Sequence, residues 1–160
     1  MTLQEKQNLF LSTITDLMPG IDDSESPAGE ILKIHLLTEV LLDHLIIGVF
    51  EADHGRAILD LELRYSQKLT LCSKATLSCG RSLLTSDVIG SLKKLNSLRN
   101  AFAHNLRKTL TEDDVESLFV GALGSDRSGP AKDGPLFNRL ISYKTRIHCQ
   151  MLEYDPNQKS

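Results

Sequence analysis

Residues 99–104 combine the side chains in this 160-residue chain that are best suited to chemistry. Arg99 is a permanent cation, Asn100 carries an amide and His104 carries an imidazole, all within two turns of a predicted helix. An imidazole, with an ordinary pKa of about 6.5, can take a proton from a ribose 2′-hydroxyl at neutral pH. A guanidinium can grip the phosphate and stabilise the charge that develops there. We predict Arg99, Asn100 and His104 as catalytic residues for RNA cleavage without a metal.

The geometry of an α-helix limits how these three side chains can meet. Each residue turns the helix by about 100°, so Asn100 and His104 share one face, while Arg99 lies about 140° from His104. Ser97, Asn100, His104 and Arg107 therefore form a polar stripe. Either the helix unwinds near its end, or a second copy of the protein supplies the missing partner. Composition alone also permits two structural interpretations of these residues. They can form a solvated helix face, or Arg99 can pair with an acid of the N-terminal half.

The charges are distributed unevenly along the chain. Residues 1–62 hold 12 acids and 3 bases, whereas residues 63–110 hold 9 bases and one acid, Asp87, although the total charge is only −3. The basic segment can pair with the acidic one inside the fold, or it can offer a positive groove to phosphates. Internal pairing is favoured, because nucleic-acid binders usually carry a positive total charge.

Apolar residues recur at helical spacing in most of the chain, which predicts one all-α domain over residues 1–160. It holds five to seven helices and a flexible loop at 124–134, where Gly, Ser, Asp and Pro are concentrated. Asp53-His54-Gly55 is expected to interrupt the helical pattern, although residues 56–63 could resume as helix. Thr85 or Ser86 and Thr111 are expected to cap helices. The predicted helices span about 2–17, 27–51, 63–77, 86–106, 111–123 and 136–152, the second of them being central and largely buried.

Other polar residues offer weaker candidates. His35, Glu39 and Asp43 lie on one line of the second predicted helix, but they lack a converging second set of ligands. We expect them to pair with Lys68, Arg64 or Arg99 rather than to bind a metal. The sequence also lacks a glycine-rich nucleotide loop, so we predict no metal and no cofactor.

Cysteine usage and hydropathy favour a cytoplasmic protein. Three cysteines form no CxxC pair, so we expect reduced thiols packed as small hydrophobic residues. No N-terminal signal peptide is recognisable. The most apolar stretch, residues 31–50, contains several charged or ionisable side chains, which a membrane span rarely tolerates.

Three sequence blocks resemble those of a known superfamily. Residues 98–104, Leu-Arg-Asn-Ala-Phe-Ala-His, resemble the R-x(4–6)-H signature of the HEPN superfamily, including the polar residue that often follows its arginine. Residues 37–39 running to 48–50, and then 65–69, are similar to its mannitol operon repressor-like branch. The resemblance covers about residues 30–110. It implies an all-α bundle that dimerises, with the arginine and histidine of both protomers lining one cleft.

Two functions follow from the resemblance. Many HEPN relatives are metal-independent endoribonucleases of toxin–antitoxin, defence or RNA-processing systems, which implies RNA, a second protomer and an antitoxin or regulatory protein as partners. Other relatives are non-catalytic regulatory or interaction modules. A DNA-binding repressor is a third hypothesis, disfavoured by the negative net charge and the lack of a clear helix-turn-helix.

Overall fold

A computed structural model describes residues 27–50, 52–77, 79–105, 107–119, 123 and 136–152. Over these residues the chain is all-α, with six helices and a single isolated β-bridge, as predicted. The helix predicted at 2–17 and the loop predicted at 124–134 lie outside the described residues. The helices are α1 (Pro27–Val49), α2 (Ala52–Leu59), α3 (Tyr65–Lys74), α4 (Ser86–His104), α5 (Glu112–Glu116) and α6 (Leu136–Leu152).

Helix α1 is the central element, which confirms the prediction from its apolar pattern. It packs against α2, α3, α4 and α6. A helix that contacts neighbours on most sides must be apolar on most sides. Its buried hydrophobic side chains are Ile31, Ile34, Leu37, Leu41, Leu42, Leu45 and Ile46.

The break predicted at Asp53-His54-Gly55 is wrong. These residues lie inside α2, and α1 ends earlier, at Val49. Gly55 is helical and buried, and a Cβ atom placed on it would lie 2.6 Å from the Cα of Ile47. The glycine therefore permits the close approach of two helix backbones instead of interrupting a helix.

Threonine caps set the starts of two helices, as predicted. Thr85 Oγ1 accepts a hydrogen bond from the Val88 amide at 3.4 Å, at the start of α4. Thr111 and Asp114 form a reciprocal capping box before α5. However, α5 ends at Glu116 and not at residue 123, because the chain then tightens into turns between residues 115 and 119.

A buried hydroxyl pair ties α4 to α6. Ser91 Oγ donates to the Leu118 carbonyl at 2.7 Å and lies 2.7 Å from the hydroxyl of Tyr143. Because the Ser91 hydroxyl has one proton and donates it to the Leu118 carbonyl, the Tyr143 hydroxyl donates the second hydrogen bond, to Ser91 Oγ. Burial raises the pKa of the Tyr143 hydroxyl, which keeps it protonated for this role.

Lys68 of α3 neutralises two carboxylates of α1. Its Nζ lies 3.0 Å from Glu39 Oε1 and 2.8 Å from Asp43 Oδ1, which confirms the predicted pairing of these acids with Lys68. Burial alone would lower the pKa of Lys68, but its hydrogen bonds to Asp43 and Glu39 outweigh burial and raise it. The cluster is thus an ion pair between helices.

Replacing Lys68 with methionine should lower the free energy of unfolding by about 1–3 kcal/mol. Methionine keeps the length of the side chain but leaves two partly buried carboxylates facing each other. Urea denaturation at neutral pH measures the change, and Lys74→Met, an exposed position in the last turn of α3, is the control. Equal stability of the two variants would show that the ion pair contributes nothing.

Candidate functional site

Helix α4 remains regular through the whole of residues 99–104. Its last residue is His104, and the Asn105 amide still donates to the Ala101 carbonyl at 3.0 Å. Phe102 is buried and anchors this last turn to the core. Within one subunit the helix therefore does not unwind between Arg99 and His104, and the first of the two routes to a shared site is wrong.

The three predicted site residues differ in exposure. Asn100 and His104 are exposed, whereas Arg99 is half-buried. Arg99 Nη1 donates a hydrogen bond to Asn100 Oδ1 at 3.1 Å. Viewed down the helix axis, Asn100 lies between Arg99 and His104. This hydrogen bond therefore orients the guanidinium towards the side of the helix on which His104 lies.

A polar contact joins α4 to α1 at Asn96, one turn before Arg99. His35 Nε2 lies 3.0 Å from Asn96 Oδ1, and an amide oxygen only accepts, so Nε2 carries the proton. The His35 ring stacks on Tyr65 with ring centroids 4.1 Å apart. The sequence predicts a lysine or arginine as the partner of His35, and the structure shows Asn96 instead. No local pattern in the sequence indicates this partner, because the two residues lie 61 positions apart.

Charge connects His35 to Arg99. Burial lowers the pKa of His35, the hydrogen bond with Asn96 and the charge of Glu39 raise it, and the positive charge of Arg99 lowers it further. The net shift is downward, which favours a neutral imidazole next to the arginine.

Stability should fall as the pH drops below about 6.5, the ordinary pKa of histidine. Burial lowers the pKa of both His35 and His148. Between the folded and unfolded pKa values the unfolded chain binds more protons, so stability is complete above this window and is lost on acidification through it. Denaturation at pH 7.5 and 5.5 measures the slope, and His35→Gln should reduce it. Identical slopes in the variant and the wild type would contradict this assignment.

The basic segment contributes few ion pairs within the described residues. Among the described residues, Lys68 is the one base of residues 63–110 that pairs with acids of residues 1–62. Lys108 Nζ lies 3.7 Å from Oδ2 of Asp114, which belongs to neither segment. Arg99 has no carboxylate partner among the residues that the structure describes. The favoured prediction of internal pairing therefore holds for Lys68 and does not extend to Arg99.

The cysteine prediction is correct for one residue and wrong for two. All three thiols are free, but only Cys72 is buried, whereas Cys79 and Cys149 are exposed. Burial raises the pKa of Cys72 to about 12. Cys79 lies at a turn where the backbone and side chain of Arg81 lower the pKa of its thiol. Spacing in the sequence carried no information on this difference in exposure.

The described residues contain no group of three or more His, Cys, Asp or Glu side chains arranged to hold a metal ion. Likewise, none of the described helices is long and apolar enough to cross a membrane. The side chains at the end of α4 are a cation, an amide and an exposed imidazole.

The chain matches no family model, no curated protein and no solved structure.

Proposed function

We propose that the protein is a dimeric, metal-independent endoribonuclease of the HEPN type. The observation that carries the proposal is the hydrogen bond from Arg99 to Asn100, with the exposed His104 one turn further along the same helix. The end of α4 therefore carries both a cation without a carboxylate partner among the described residues and a solvent-accessible imidazole. The resemblance of residues 98–104 to the R-x(4–6)-H signature supports the same assignment.

The proposed reaction is attack of a ribose 2′-oxygen on the adjacent phosphorus. His104 accepts the 2′-hydroxyl proton as the new P–O bond forms, and the P–O bond to the 5′-oxygen of the next nucleotide breaks. The leaving 5′-oxygen takes a proton from water, and His104 later returns its proton to the solvent, which yields a 2′,3′-cyclic phosphate and a free 5′-hydroxyl. Arg99 holds the phosphate and stabilises its developing charge, and Asn100 orients the arginine.

A second copy of the chain completes the proposed site. Arg99 and His104 leave the helix in directions about 140° apart, and the Arg99–Asn100 bond closes only part of that angle. Two exposed leucines one turn apart on α1, Leu32 and Leu36, which are 41% and 47% exposed, supply apolar surface that an interface would cover. Together these features favour a homodimer with a composite site.

The test is incubation of the purified protein with a structured RNA in excess EDTA. We expect cleavage products with 2′,3′-cyclic phosphate ends, which a phosphatase that opens such ends identifies. Activity that requires an added divalent metal, or products with 5′-phosphate ends, would exclude the mechanism. A cytoplasmic role as a toxin, defence or RNA-processing enzyme, held in check by an antitoxin, belongs to the same proposal.

A non-catalytic regulatory or interaction module is the second candidate. It is favoured by the half-buried position of Arg99, whose charge acts on the buried His35, because an arginine with a structural role needs no substrate. In that case Arg99→Ala weakens self-association and stability, and no RNA is cut under any condition. Sedimentation velocity and the cleavage assay on the same preparation separate the two functions.

A further inference from the structure

The outward face of α4 is polar well beyond the three proposed catalytic residues. Lys93, Ser97, Asn100, His104 and Arg107, here called the outer stripe, are all exposed. The first four residues lie within about 40° of a common direction around the helix and span about 16 Å along it. Arg107 follows in an exposed turn just after the helix, where the Asn105 side chain accepts a hydrogen bond from the Arg107 amide at 3.1 Å.

The two cations at the ends of the outer stripe differ from their sequence neighbours. Lys108 lies near Asp114 and over the ring of Phe102, so it is turned back onto the protein. Lys94 is half-buried, whereas Lys93 is exposed. Burial raises the pKa of Asp114, but its hydrogen bonds to Thr111 and the charges of Lys108 and Lys94 lower it overall. Lys93 and Arg107 have no carboxylate partner among the described residues. Their charges are thus available to a ligand.

The outer stripe is free of acids along its length. Asp87, in the first turn of α4, is the only acid from residue 63 to residue 110. Hydroxyl and amide groups, which donate hydrogen bonds to phosphate oxygens, lie between the two cations. The positive charge and hydrogen-bond donors of such a row are complementary to a row of phosphates. The same row would repel another positively charged surface.

We propose that the outer stripe binds the sugar-phosphate backbone of single-stranded RNA, with Lys93 and Arg107 contacting phosphates on either side of the bond cut at His104. This inference rests on the proposed function and adds the direction of the substrate strand, which runs along α4. Phosphate contacts position a strand without reading its sequence. Lys93 and Arg107 therefore set affinity, and the residues at the centre of the stripe set the rate.

The test is binding of a fluorescent single-stranded RNA whose 2′-hydroxyls are methylated, so that it cannot be cleaved, in EDTA at several salt concentrations. Lys93→Ala should weaken binding about three- to tenfold and lower the slope of log affinity against log salt by about 0.7. Lys94→Ala is the matched control: it removes the same charge from a half-buried position about 100° away around the helix, and it should leave the affinity unchanged. Arg107→Ala and Lys108→Ala form a second matched pair.

The outcomes distinguish this inference from the proposed enzyme. Binding that depends on Lys93 and Arg107, without cleavage of unmodified RNA, supports the stripe and contradicts the nuclease. Cleavage in which Lys93→Ala and Lys94→Ala behave alike supports the nuclease and overturns the stripe. Failure of the wild-type protein to bind the methylated RNA, or tighter binding of polyglutamate, also overturns it.

Discussion

Replacing His104 with alanine is expected to lower the rate of RNA cleavage by at least about 100-fold, because the variant loses its general base. His104 is exposed at the last position of α4, so its removal leaves no cavity and should not change the free energy of unfolding. The measurement is single-turnover cleavage in EDTA, together with urea denaturation. A rate loss without a stability loss is the signature of a chemical role.

His54→Ala is the matched control for this experiment. His54 is also an exposed histidine on a helix, α2, but it lies outside residues 99–104. We expect it to cut RNA at the wild-type rate. If His104→Ala retained full activity, the cleavage would come from another group or from a contaminating nuclease, and the role of His104 would be wrong.

Replacing Arg99 with alanine should lower the cleavage rate about 100-fold, the usual cost of removing one donor to a developing anion. Arg99→Lys should recover only part of the loss, because an ammonium keeps the charge but not the planar fork that grips two phosphate oxygens. Free guanidinium ion added to the alanine variant should restore some activity. Cleavage kinetics with and without the added ion measure these differences.

Because Arg99 is half-buried, the same variants must be checked for structural damage. Arg56→Ala, an exposed position on α2, controls for the loss of a positive charge elsewhere. A purely structural arginine predicts that activity falls in proportion to stability, and that lysine rescues both or neither. Full activity of Arg99→Lys would contradict the bidentate role.

Much of the fold could be predicted because its signals are local. Thr85 and Thr111 cap helices through hydrogen bonds to residues three positions later, and the bounds of α6 follow from its apolar spacing. The start of α2 could not be predicted in this way. Gly55 resembles a helix breaker in the sequence, and only the position of the Ile47 backbone shows that it marks a close contact.

For the candidate site, the sequence predicts which residue types share one helix, but it predicts little of the contacts that surround them. The spacing of Arg99, Asn100 and His104 placed them on one helix, which the structure confirms. Contacts between distant segments escaped sequence reasoning, above all the hydrogen bond between His35 and Asn96, 61 positions apart. The exposure of Cys79 and Cys149 depends on tertiary packing in the same way.

The most direct test of the composite site mixes two inactive variants. Arg99→Ala and His104→Ala are combined in equal amounts, exchanged through a dissociating step and assayed in EDTA. In a two-fold dimer whose site takes its arginine from one subunit and its histidine from the other, each mixed dimer holds one intact site. Activity should then return to about a quarter of the wild-type value. Activity that stays at the level of the separate variants, although mixed dimers have formed, would contradict a site shared between subunits.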